Sequence, residues 1–237
     1  MRISVIGMGV VGTATFQLFE KLGHIPEGCD KVNYQLHPRR SDFYFICVPE
    51  GDVEEPVKWI AENLPEGLIV VRSSVLPKTC QALDKKYGRH ICHNPEFLRE
   101  STALFDEMNP SRVVIGECCW YHGDELEKLY KPLQCTIVRT NPATSELTKL
   151  ASNFCLASYI SYWNEIEQIA KKIGVSGHQV GMIASLDPRI STYGSRFHQK
   201  FGGRCLPKDT QQLIDFAQSL GYDSILLKAV QKVNDEL

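Results

Sequence analysis

The sequence holds no apolar run of the ~18 residues that a membrane-spanning helix needs. It has no surplus of either charge: 26 Lys and Arg stand against 28 Asp and Glu, a formal net charge of −2. No basic face for nucleic acid and no charged surface for a membrane is therefore expected. The chain opens directly on the strand-like RISVIG, without the basic stretch, apolar stretch and cleavage site of a secretory leader. It contains no internal repeat and no low-complexity segment. Nine cysteines is an odd number, scattered without framework spacing, and the closest two, Cys118 and Cys119, are adjacent and so poorly placed to bridge. The expectation is a reducing, cytoplasmic compartment, mostly buried and inert thiols, and no bound metal.

What is present is 237 residues, room for one large or two small domains with a sizeable core. Short apolar runs at 3–6, 43–48, 68–71, 90–92, 112–115 and 136–138 predict strands. Amphipathic stretches at 10–22, 53–64, 79–87 and 123–133 predict helices between them. That alternation predicts an α/β domain with a parallel sheet over residues 1–140. From Pro142 the texture changes to one long helical pattern, 142–173, with Pro142 suited to its first turn and Gly174 to its end. Leu147, Leu150, Phe154, Ala157, Ile160, Ile166, Ile169 and Ile173 read as its core-facing stripe. Further helices are predicted at 178–184, 210–220 and 224–237, making residues 141–237 an all-helical domain.

RISVIGMGVVG places Gly7, Gly9 and Gly12 in the GxGxxG spacing, directly after a strand and opening a helix. The first glycine permits a tight turn, the second a close approach of a pyrophosphate, the third close packing of helix on strand. The strand–turn–helix context raises an otherwise weak motif to a strong dinucleotide signal. Asp30, 18 residues after Gly12, suits an acid that accepts from the ribose hydroxyls of NAD and repels the extra phosphate of NADP. Only eleven residues, 31–41, separate it from the next strand, too few for a comfortable crossover helix.

Three further stretches carry candidate chemistry. In HNPEFLRES, Glu96 and Glu100 share a face if the segment turns helical, although two surface acids at a helix start account for the spacing equally. In ELTKLASN, Glu146, Lys149 and Asn153 form one stripe of the long helix. Lys149 and Asn153 could donate to one oxyanion, or simply form a polar face. In FGGRCLPKD, Gly202 and Gly203 let backbone lie against a ligand. Cys205 precedes a helix start, with Lys208 nearby and Asp209 as the expected cap. Such a thiol is either an activated nucleophile or one more inert cysteine.

Taken in order, GMGVVG, FICVPE, RSSVLPKT, NPEFLRES, NPSRVVIG, ELTKLASN and DPRISTYGSRFHQKFGGRCLPKD resemble the UDP-glucose/GDP-mannose dehydrogenase family over nearly the whole chain. The resemblance implies a Rossmann-like NAD-binding domain followed by a helical domain of the 6-phosphogluconate dehydrogenase type, through which two subunits pair as a homodimer. It implies NAD as cofactor, held by Gly7, Met8, Gly9, Val10, Val11, Gly12, Asp30, Val48, Pro49, Ser74 and Glu100. It implies a UDP-sugar substrate whose C6 alcohol is oxidised to the acid through a thiohemiacetal and a thioester on Cys205. Lys149 and Asn153 match the residues that hold the oxyanion, and Asp209 the acid paired with that lysine and a water. Glu96 matches the carboxylate that activates water, and Glu100 a supporting acid of the same loop. Ser74 stands where the family usually has threonine. Gly202 and Gly203 match the loop lying against substrate, and Arg189 the arginine that reaches the neighbouring subunit's sugar nucleotide.

The sequence departs from the family in three places. The family continues into a third, α/β domain that closes over the nucleotide, whereas the sequence ends at AVQKVNDEL, so part of the nucleotide grip is expected to be missing. The segment after Asp30 is short. His198, Gln199 and Lys200 stand where smaller residues are usual. Two other readings stay open: a two-electron hydroxyacid dehydrogenase, which needs neither Cys205 nor Glu96, and a non-catalytic NAD-binding or dimerisation remnant.

Overall fold

A computed structural model describes residues 1–31, 37–64, 66–195 and 199–237. It divides into two compact units, Met1–Lys149 and Leu150–Leu237.

The first unit is a Rossmann-like sheet of seven strands: β1 (Arg2–Ile6), β2 (Ile25–Cys29), β3 (Phe43–Ile46), β4 (Leu68–Val71), β5 (Ile91–His93), β6 (Arg112–Gly116) and β7 (Thr136–Thr140). Their order is β2-β1-β3-β4-β5-β6-β7. All neighbours run parallel except β5 and β6, which meet antiparallel at His93 and Gly116. Helices α1 (Val10–Lys21), α2 (Glu54–Asn63), α3 (Thr79–Tyr87), α4 (Ala103–Met108) and α5 (Trp120–Tyr130) connect them.

Strand residues alternate between two buried faces, so both sides of the sheet read as apolar. Val5, Phe43, Phe45, Val70 and Ile115 pack with Leu18, Phe19, Leu126 and Tyr130 of α1 and α5. Ile6, Tyr44, Ile46, Ile69 and Ile91 pack with Val57, Ile60, Cys80 and Leu83 of α2 and α3.

Two elements depart from the sequence reading. Strand β2, IPEGC, carries no apolar alternation because it is a half-buried edge strand, a place where a proline fits a ladder. Its Gly28 lies under Met8, whose sulfur would sit 2.9 Å from any Cβ there. Helix α4 is only six residues long, too short to show a period. Between β2 and β3 the described residues, 30–31 and 37–42, carry no helix; 32–36 lie outside the described residues.

Helix α6 (Pro142–Lys172) runs from the first unit into the second, which adds α7 (Gly177–Ala184), α8 (Leu206–Ser219) and α9 (Ile225–Asp235). The core stripe of α6 is Leu150, Phe154, Ala157, Ile160, Trp163 and Ala170. Leu147, Ile169 and Ile173 are exposed instead, and Ile166 is half-buried. The reason is phase: from Ile160 a 3.6-residue period passes through 163 or 164, 167 and 170, so the step of six to Ile166 left the face.

The loop before α8 is pinned to the second unit's core. Phe201 is buried with Phe154, Ala157, Ile160 and Val230. The Asn234 amide accepts from Phe201 N at 2.6 Å and donates to its carbonyl at 3.2 Å. Asn164 donates to the Gln199 carbonyl at 2.9 Å. Arg196 to His198 lie outside the described residues, and with them His198 of the departure from the family noted above.

Candidate active site

In the first unit, Gly7 has φ +90, and a Cβ there would meet the Cys47 carbonyl at 2.7 Å. A Cβ on Gly12 would fall 1.8 Å from the Gly7 carbonyl oxygen. Gly9, at the N-cap of α1, faces open space and has no capping side chain over it. The helix N-terminus is therefore bare backbone where the second glycine of a dinucleotide turn must be approached. Asp30, just past β2, accepts from Met8 N at 2.6 Å, which ties the acid to this turn. Val10 and Val11 form the first turn of α1. Val48 and Pro49 follow β3, and the Ser73 hydroxyl donates to the Val48 carbonyl at 2.5 Å, fastening this loop to the one after β4. Ser74 is the next residue, half-buried. These features fit a dinucleotide: an open backbone turn, a helix N-terminus and an acid beside it. The neighbouring Cys47 and Cys29 thiols are pushed up to about 12 by burial and stay protonated.

The loop after β5 carries Glu96, which is not helical; Glu100 opens a short 3-10 turn and is exposed. The two acids therefore do not share a helix face. Glu96 accepts the Lys149 ammonium at 2.8 Å through Oε1 and Leu98 N at 2.6 Å through Oε2. Lys149 is 3% exposed and lies 5.5 Å from the Phe97 ring centroid. Burial of an ammonium against a single carboxylate makes the pair sensitive to any further charge or oxyanion placed there.

In the second unit, α8 begins at Leu206, with Pro207 in its first turn, so Cys205 rather than Asp209 occupies the N-cap position. Proline at the helix start is the local reason, its fixed φ and missing N–H being suited to that turn. Gly202, Gly203 (φ +75) and Cys205 are exposed, and a Cβ on either glycine would touch nothing within 4 Å. Asp209 is fully buried, accepts from the Asn153 amide at 2.5 Å and pairs with Lys208 at 2.9 Å. Lys149 is thus bonded to Glu96 within the first unit, and Asp209 to Asn153 within the second. Arg189 is exposed and closes a bidentate pair on Asp187, at 3.0 and 2.6 Å.

Three features escaped the sequence reading. Arg72, the last charged residue one would place on LIVVR, is buried at the end of β4. It donates to Asn94 and Tyr130 at 2.8 Å each and to Glu107 of α4 at 2.9 Å. Asn94 passes the network on to the Val114 carbonyl at 2.8 Å. Arg72 and Asn94 directly precede the Ser73–Ser74 and Glu96 loops, so this network positions both. Glu146 is no surface stripe residue: buried, it accepts from Lys78 N at 2.5 Å and Cys80 N at 2.8 Å, closing the N-terminus of α3. His93, also buried, bonds Ser145 Oγ at 2.8 Å and the Ser73 carbonyl at 3.3 Å. A carbonyl can only accept, so Nε2 carries the proton and Nδ1 accepts from Ser145. Burial depresses its pKa to about 3. The thiols, finally, are less buried than expected: of nine cysteines only Cys29, Cys80 and Cys92 are buried.

The sheet, the glycine turn and the helical second unit define a Rossmann-type NAD-binding domain joined to a helical domain. The profile of the UDP-glucose/GDP-mannose dehydrogenase family's NAD binding domain matches residues 31–134, and that of its central domain residues 143–236. A GDP-mannose 6-dehydrogenase from Pseudomonas syringae pv. tomato is 38% identical over 99% of this chain and 68% of its own. A UDP-glucose 6-dehydrogenase from Bacillus subtilis is 33% identical over 99% of this chain and 66% of its own. The solved structure of a UDP-glucose dehydrogenase from Pyrobaculum islandicum superposes with a TM-score of 0.89 at 29% identity, over 99% of this chain and 68% of that one. The chain belongs to the UDP-glucose/GDP-mannose dehydrogenase family, and its cofactor is NAD. It spans about half to two thirds of the length of the curated relatives it matches. A 3-hydroxyisobutyrate dehydrogenase from Mycobacterium tuberculosis shares the fold, with a TM-score of 0.79 at 14% identity.

Proposed function

We propose that the protein works as a nucleotide-sugar dehydrogenase that takes the C6 alcohol of UDP-glucose to the acid. The observation that carries the reading is the pair of buried polar contacts, Lys149 on Glu96 and Asn153 on Asp209, together with the exposed Cys205 at the start of α8. Gly7, Met8, Gly9, Val10, Val11, Gly12, Asp30, Val48, Pro49, Ser74 and Glu100 hold the dinucleotide. NAD, when bound, accepts hydride, twice for each sugar.

Lys149 and Asn153 donate to the sugar oxygen as it becomes an alkoxide. Cys205 Sγ adds to the aldehyde carbon, whose oxygen takes up the proton. The thiohemiacetal retains the aldehyde and presents a carbon that still bears hydrogen for the second oxidation. Glu96, released from Lys149, takes a proton from water, and the hydroxide displaces the Cys205 thiolate from the thioester. The Ser74 hydroxyl accepts from or donates to that water. The balance is one alcohol and one water to one carboxylate, two hydrides and three protons, the protons passing to solvent. Gly202 and Gly203 leave space for the substrate, and Arg189, released from Asp187, reaches the substrate of a second copy.

Large exposed apolar residues on the helical unit, Ile173 at 71%, Ile183 at 69% and Leu186 at 81%, support a homodimer through that unit. Nine unbridged thiols support a reducing, cytoplasmic setting. Among the described residues no helix is long and apolar enough to cross a membrane.

The test counts NADH formed per UDP-glucose consumed, with GDP-mannose in parallel. A ratio near two, abolished in Cys205→Ser, supports four-electron chemistry. A ratio of one points to the two-electron hydroxyacid type, and NAD binding without turnover of either sugar to the remnant.

A further inference from the structure

A second cluster of chemistry-bearing side chains lies away from the dinucleotide turn. His90 directly precedes β5, at the N-terminal end of the strand. The glycine turn follows the C-terminal end of β1, and β1, β3, β4 and β5 run parallel, so His90 is at the opposite end of the sheet. Cys118, Cys119 and His122 sit at the start of α5, in the spacing C-C-x-x-H. The β5–β6 pairing of His93 with Gly116, continued antiparallel, sets Cys119 opposite His90. One ligand atom from each of the four residues lies within 4.8 Å of all the others.

We propose that His90, Cys118, Cys119 and His122 form a zinc site. Two thiolates and two imidazoles are a closed structural donor set for this borderline-soft ion. Zinc bonds of about 2.3 Å to sulfur and about 2.0–2.1 Å to nitrogen, at tetrahedral angles, imply S···N edges of roughly 3.6 Å. The observed edges bracket that value: Cys118 Sγ to His90 Nδ1 is 3.8 Å, Cys118 Sγ to His122 Nδ1 3.3 Å, and Cys119 Sγ to His122 Nδ1 3.2 Å. The His90 and His122 rings pack with centroids 4.6 Å apart, but thiols and imidazoles make only weak mutual hydrogen bonds, so ring packing leaves the convergence of both sulfurs on them to be accounted for by the ion. The ion also has an entry path, because His90 and His122 line an open cleft of about 970 Å³. Bound there, it ties the beginning of β5 to the first turn of α5. Cys92, whose Sγ is 3.6 Å from Cys118 Sγ, is buried behind the set and is the competing partner, by disulfide formation.

The experiment uses the full chain, purified under reducing conditions, stripped with a chelator and titrated with Zn²⁺ and with Co²⁺. One equivalent of zinc bound tightly per chain, the intense visible bands of tetrahedral thiolate-bound cobalt, and a higher melting temperature with metal are expected. All three are lost in the Cys118→Ser/Cys119→Ser double variant and kept in Cys92→Ser and in Cys205→Ser. Circular dichroism and NAD binding confirm that the double variant is folded; should it not fold, His122→Gln, in which one ligand is lost and weaker cobalt bands are expected, replaces it. Sub-stoichiometric zinc, a pale octahedral cobalt spectrum, metal retained by the Cys118→Ser/Cys119→Ser variant, cobalt bands undiminished in His122→Gln, or a Cys92–Cys118 disulfide formed in place of metal binding would each overturn the proposal.

Discussion

Arg72→Met tests whether the buried network holds the two site loops. The guanidinium is 3% exposed and its Glu107 partner is equally enclosed, so the substitution leaves a carboxylate buried without a counter-charge. Breaking a buried pair from one side costs about 3–5 kcal/mol. The lost bonds to Asn94 and Tyr130 fall within that range, because both side chains keep each other: Tyr130 donates to Asn94 at 2.5 Å. Burial already raises the Glu107 pKa with Arg72 present. Without Arg72 it rises further, and Glu107 folds as the neutral acid. The folded state then holds a proton that the unfolded state releases above its own pKa. The cost of Arg72→Met therefore grows with pH, by up to about 1.4 kcal/mol per unit. Removing both charges in Arg72→Met/Glu107→Leu is expected to recover roughly half of the loss. The assay is urea unfolding followed by fluorescence, at pH 5.5 and 7.5, with wild type, both single variants and the double. A loss under about 1 kcal/mol, or a double variant as unstable as the sum of the singles, would refute the coupling.

Glu146→Ala orphans the buried backbone N–H of Cys80 and the part-buried one of Lys78, and is expected to cost about 2–3 kcal/mol. Glu146→Gln, which keeps one acceptor, should cost about half as much in the same unfolding assay; equal losses would speak against the capping role. Burial lowers the folded pKa of His93 to about 3 from the ordinary 6.5, so the unfolded chain binds this proton first. Its contribution is whole above pH 6.5 and is lost as pH falls from 6.5 toward 3, at about 1.4 kcal/mol per unit. His93→Gln should lack that component, and parallel stability–pH curves for the two proteins in this window would contradict it.

The residues legible in the sequence were those whose role is local. RISVIGMGVVG announced β1, the turn and α1 because the spacing of its glycines is dictated by one strand–turn–helix unit. LIVV announced β4 because a strand buried on both faces must be apolar throughout. IPEGC did not announce β2, since a half-buried edge strand holding a proline and a glycine shows no apolar alternation. The start of α8 was missed although Pro207 signals it, because the cap was sought at an acid. Side-chain pairs were not legible at all. Lys149 and Glu96 are 53 residues apart, Asn153 and Asp209 56, Arg72 and Glu107 35. Each residue carries its type in the sequence, but only the fold decides which opposite charge or amide it meets. The same holds for Cys118 and Cys119: adjacency rules out an easy disulfide between them, and says nothing of His90, 28 residues away.

The first two turns of α6 show what these pairs accomplish together. Ser145 is bonded to His93 at the end of β5, Glu146 to the N-terminus of α3, and Lys149 to Glu96 in the loop beyond His93. Gly116 closes the same surface: a Cβ on it would lie 2.7 Å from the Ser145 side chain. Three polar contacts within five residues fix both the rotation and the advance of the helix against the sheet. A helix held only by apolar packing can slide or turn at modest cost, whereas each of these contacts would strand a buried donor or acceptor if it moved. The division between the two units falls directly after Lys149, where this set of contacts ends. Lys149 thus reaches Glu96 from the most constrained segment of the helix. That is the condition a charge must meet if it is to stabilise an oxyanion by being in place beforehand rather than by moving to it.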